Sequence, residues 1–110
     1  MSKQSWLNKI CKKAYDGNFK EAQILIDSGK EKEFILTKQN ATNILLSCGV
    51  DVPYKFIKPL IRTGGKIPKF TVEFAKRVLK DKKAYDIWSK IPDRIKGFKF
   101  IIKITDNKKL

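Results

Sequence analysis

The sequence predicts a small, mainly α-helical domain that closes on a short C-terminal β-strand or hairpin. Three observations predict it. Apolar residues recur at three- and four-residue spacing over most of the 110 residues. Capping residues and glycines bracket those stretches. Only residues 95–104 change to a two-residue period.

Residues 5–16 form the first expected helix, with Trp6, Leu7, Ile10, Cys11 and Ala14 on its inner face. Gly17 ends it, because glycine takes the left-handed position cheaply. Asn18 caps a second helix with Glu21 three residues on, an imperfect capping box. Ala22, Leu25 and Ile26 form its inner stripe, and Gly29 is expected to end it. Lys30 to Glu33 reads as a charged loop. Phe34-Ile35-Leu36 is a short apolar run, either a strand or a loop pin.

Thr37 caps a third helix, in which Ala41, Ile44, Leu45 and Cys48 face inward until Gly49. Asp51 and Pro53 open a fourth. There Lys55, Lys58 and Arg62 line one face at i, i+3, i+7, while Pro59 makes the helix short, kinked or divided. Gly64-Gly65 ends it and Lys66 to Phe70 is extended. Thr71 caps a fifth helix over 72–82, with Ala75, Val78 and Leu79 inside. A sixth covers 84–90 and stops at Pro92. Over 95–104, Phe98, Phe100, Ile102 and Ile104 alternate with Lys99, Ile101 and Lys103, the pattern of a half-buried strand. Residues 105–110 read as a polar, fraying tail.

The length implies one domain, 1–110. Within it, 1–33 is a near-neutral helix pair and 34–104 is the basic region. Residues 1–54 carry 8 Lys/Arg and 6 Asp/Glu, whereas residues 55–110 carry 17 and 5, so the net charge of +14 is concentrated in one half. Concentrated positive charge attracts polyanions, of which nucleic acid is the commonest. A Lys-rich composition would also raise the total, since 22 of the 25 cations are lysine, but it does not explain the asymmetry.

The cations fall into three groups. Lys55, Lys58, Arg62, Lys66 and Lys69 are five in fifteen residues without an acid between them, and Tyr54 adjoins them as a further contact to sugar or phosphate. Lys76, Arg77, Lys80, Lys82 and Lys83 form the second. Arg94, Lys96, Lys99 and Lys103 form the third, along the expected strand. Phe98 and Phe100 could stack on bases, but their phase with Ile102 and Ile104 favours core packing.

The chain has no histidine, which removes the commonest general base and every His-containing metal site. Two cysteines cannot complete a zinc site. The pairs Glu31/Glu33 and Asp81/Asp86 read as solvated surface carboxylates rather than magnesium ligands. No enzyme activity and no cofactor are expected. Cys11 and Cys48 read as buried free thiols of an intracellular, reducing compartment. No stretch has the apolar length of a membrane span, and none resembles a signal peptide.

Leu36-Thr37, Ala41, Gly49-Val50, Pro53, Leu60-Ile61 and Lys66-Ile67-Pro68 together resemble the helix-turn-helix of excisionase and MerR-like winged-helix proteins. The resemblance implies a DNA-reading second helix that carries Tyr54, Lys55, Lys58 and Arg62. It implies a regulator of transcription or a recombination accessory factor. The 95–104 strand would be the wing. The sequence departs from that pattern in its longer turn and in Pro59. A fainter resemblance competes: Gly17 to Gly29 is similar to the second helix of an ankyrin repeat, echoed from Thr42 to Gly64. That would imply a protein-interaction module, an inhibitor or adaptor with an acidic partner protein. On the first reading the partner is nucleic acid, DNA ahead of RNA, and a homodimer would set half-site spacing.

Overall fold

A computed structural model describes residues 2–107, except the side chain of Asn107. It contains seven helices: α1 (Lys3–Tyr15), α2 (Phe19–Glu31), α3 (Lys38–Cys48), α4 (Tyr54–Arg62), α5 (Lys69–Lys80), α6 (Lys82–Ser89) and α7 (Arg94–Asn107). The first six form three successive pairs. α1 also packs on α3, and α7 returns to lie against α4, α5 and α6. The result is flat, 45 × 32 × 18 Å.

The C-terminal strand and wing expected from the sequence are not seen. Among the described residues there is no strand, and 94–107 is helix. The reason lies in Ile101. A two-residue period would place it outside with Lys99 and Lys103, yet Phe98 and Ile101 are both fully buried. Their three-residue separation marks a helix, with Ile95 and Ile102 half-buried beside them. The expected tail is corrected as well: Asp106 and Asn107 belong to α7, and residues 108–110 lie outside the described residues.

Each helix start follows from local chemistry. Ser2 and Thr37 cap α1 and α3, their hydroxyls accepting from the Ser5 and Asn40 amides at 3.1 Å. Asn18 makes no such side-chain bond, so α2 starts without that cap. Gly17 adopts φ +80° and turns the chain into α2. Pro53 precedes α4, where its fixed φ costs nothing. The interior Pro59 limits α4 to 9 residues.

Two other expectations change. Gly29 does not end α2 but sits inside it. A Cβ there would lie 2.6 Å from the Trp6 indole nitrogen, which instead donates to the Leu25 carbonyl at 2.6 Å. Thr71 does not cap α5, which starts at Lys69 after Pro68. Thr71 is fully buried, and its hydroxyl donates to the Gly49 carbonyl at 2.8 Å, tying α5 to the end of α3.

One apolar cluster runs through the molecule. Trp6 and Ile10 of α1, Ile44 and Leu45 of α3, Ile57 and Leu60 of α4, and Ala75 and Val78 of α5 all belong to it. Phe74, Trp88 and Phe98 join α5, α6 and α7, with ring centroids 5.2 to 6.0 Å apart. No helix among the described residues is long and apolar enough to cross a membrane.

Candidate nucleic-acid interface

The junction of α4 and α7 is set by a clamp between two loops. Asp51, before α4, accepts from Arg94 Nε at 2.6 Å and Nη2 at 3.3 Å. Asp93, at φ +73°, accepts the Tyr54 amide on its carbonyl at 3.2 Å and the Lys55 amide on its carboxylate at 2.7 Å. Asp93 thus serves two N–H groups at the start of α4, Lys55 through its carboxylate and Tyr54 through its carbonyl, a cap delivered from another part of the chain. Gly97 completes the seat, because any Cβ there would overlap the Val52 carbonyl.

This seat brings the outer sides of α4 and α7 together. Lys96 Nζ lies 4.4 Å and Lys58 Nζ 5.2 Å from the centroid of the Tyr54 ring. Phe100 meets the same ring edge-on at 5.2 Å. Lys58 beside it, with Lys96 and Arg62 adding to the field, holds the Tyr54 phenol below its ordinary value. A field that favours an oxyanion on a phenol also favours a phosphate oxygen. Along α7, Lys96, Lys99 and Lys103 recur at i, i+3, i+7, all exposed, with Lys99 over the Tyr85 ring at 5.9 Å.

The structure therefore merges parts of two cation groups: Tyr54, Lys58 and Arg62 from α4 with Lys96, Lys99 and Lys103 from α7. It separates others. Lys55 turns toward α2, where it shares a shallow depression with Lys20. Arg94 is not a free cation; it is held by Asp51 and lies over the Phe19 ring at 5.4 Å. Lys66, Lys69 and Lys76 line a separate groove of ≈ 410 Å³, closed on one side by Ile104 and Thr105. Lys80 and Lys83 are exposed around the α5–α6 junction, where Asp81 caps α6 by accepting the Lys83 amide at 3.0 Å. Phe98 is core, not a stacking platform. Sequence reasoning missed Asp93 and Gly97; the only local signal was a glycine inside an apolar run.

Among the described residues, Arg94 is the one cation between Lys55 and Lys103 that forms a salt bridge. The other three bridges belong to the near-neutral half. No group of three or more His, Cys, Asp or Glu among the described residues could hold a metal. Cys11 and Cys48 are free thiols. Burial raises both, Cys48 to about 12 with Asp51 adding to the effect. Comparison of the chain with protein-family models, with curated proteins and with solved structures found no match.

Proposed function

We propose that the protein binds nucleic acid through phosphate contacts on the joined outer faces of α4 and α7, duplex DNA ahead of RNA. The observation that carries this reading is the convergence of Lys58 and Lys96 on Tyr54, with Arg62 adding to the same field and exposed Lys99 and Lys103 following along α7. None of these five cations is neutralised by a carboxylate among the described residues. Such a face neutralises phosphates and releases counterions, which is favourable at any sequence. Arg62 is the one group in it able to fork onto a guanine edge.

Five phosphate contacts set a slope of about −4.5 for log affinity against log salt. Anisotropy titrations on duplex DNA, single-stranded DNA and RNA across a salt range measure it. Lys58→Glu with Lys96→Glu is expected to flatten the slope by about two and to weaken binding severely. Lys9→Glu with Lys12→Glu, on exposed positions of α1, should change binding much less. Equal effects of the two pairs, or binding that ignores salt, would overturn the reading.

A further inference from the structure

The crevice between α2 and α4 is a second surface, made of different residues. Ile26, Phe56 and Leu60 form its floor, the 34–36 loop forms one wall, and its volume is ≈ 500 Å³. It runs on, through Gln23, Phe56 and Pro59, into the depression that holds Lys20 and Lys55. Its lining on α2 extends from Phe19 to Lys30. At 1.5 Å per residue that is about 16 Å, enough for apolar anchors at i, i+3 or i+4, and i+7 of a docked helix.

We propose that this crevice receives an acidic amphipathic helix of a partner protein. Four observations select that occupant. The floor is apolar, and Ile35 on the wall is 69% exposed, so an apolar face has something to cover. The charged residues of the lining are Lys20, Lys30 and Lys55, with no carboxylate among them; Lys30 reaches Asp27, outside the lining, only at 3.9 Å. Acidic residues flanking the anchors would therefore meet cations at both ends. A second copy of this chain is disfavoured because its net charge is +14. The concave shape suits a helix better than a flat lipid surface. The proposal is independent of the nucleic-acid reading.

The test is selection of a displayed random 16-residue peptide library on the whole protein, followed by binding and NMR with the enriched peptide. Enriched sequences should be net acidic with helical apolar spacing, and shifts should centre on Ile26, Phe56 and Leu60. Ile35→Asp, at an exposed position that leaves the core intact, should weaken binding about tenfold or more. Lys20→Glu with Lys55→Glu should weaken it severalfold, and Lys58→Glu with Lys96→Glu should not. Enrichment of peptides indifferent to Ile35→Asp would overturn the proposal. So would shifts confined to α4 and α7 residues around Tyr54. Tighter occupation of the crevice by phosphatidylserine vesicles or duplex DNA would overturn it in favour of those ligands.

Discussion

Replacing Gly97 by alanine pits two opposing effects against each other, and the structure decides the sign. Alanine is the better helix former by about 1 kcal/mol, so a loosely held α7 would gain stability. In the structure, however, the added Cβ overlaps the Val52 carbonyl oxygen and lies within 3.0 Å of its carbon and 3.3 Å of the Tyr54 nitrogen. These are backbone atoms, which cannot rotate aside as a side chain would. Overpacking of this kind costs about 1–3 kcal/mol, and a backbone obstacle places it at about 3. After the helix gain, a net loss of about 2 kcal/mol remains. For a chain of this size that lowers Tm by roughly 8–15 °C. Thermal unfolding followed by circular dichroism measures it. A Tm that is unchanged or higher in the variant would refute the seating of α7 on the 52–54 segment, and with it the junction that joins Lys96 to Tyr54.

Three further outcomes follow from other contacts. A double-mutant cycle on Asp51→Ala and Arg94→Ala should return a coupling of about 1–2 kcal/mol, tempered because the Asp51 side chain is 34% exposed; a coupling near zero in denaturant titrations would deny the clamp. Thr71→Val strands the Gly49 carbonyl and should cost about 1–2 kcal/mol, whereas Thr71→Ser should retain most of the stability. The Cys48 thiol is raised in the fold from 9.0 to about 12, so the unfolded chain releases its proton first as pH rises. The stability from this group is full below pH 9.0 and falls as pH climbs toward about 12, by about 1.4 kcal/mol per unit. Cys48→Ala should remove that part of the slope, and denaturant titrations at several alkaline pH values would compare the two chains.

Much of the helical order was legible because capping and period agreed. Thr37, Gly17 and Gly49 mark real boundaries, and Trp6, Ile10, Ala41, Ile44 and Leu45 are core as their spacing requires. The failures occur where a residue answers to a distant neighbour. Gly29 looks like a helix end but is small because Trp6 lies on it. Thr71 looks like a cap but serves the end of α3. In 95–104 both parities are apolar at Ile101 and Ile102, so two periods fit and only packing chooses between them. At the candidate site, the cations of α4 and α7 could be read from the sequence, but not their meeting at Tyr54. The regular i, i+3, i+7 spacing also hid the fact that Lys55 turns away toward α2.

The clamp at Asp93 has a consequence for the order of events during folding. Its bonds join positions 38 and 43 apart in the chain, so a long intervening segment must be closed before they can form. The hairpin of α1 and α2 rests on short-range contacts and can form early. The start of α4 has no such independence, because its Tyr54 and Lys55 amides wait for the carbonyl and carboxylate of Asp93, which follows α6. On the ribosome, a nascent chain that ends before Asp93 would carry α4 without this cap and Tyr54 without Lys96. The joined cationic face of α4 and α7 is thus among the last parts of the molecule to exist.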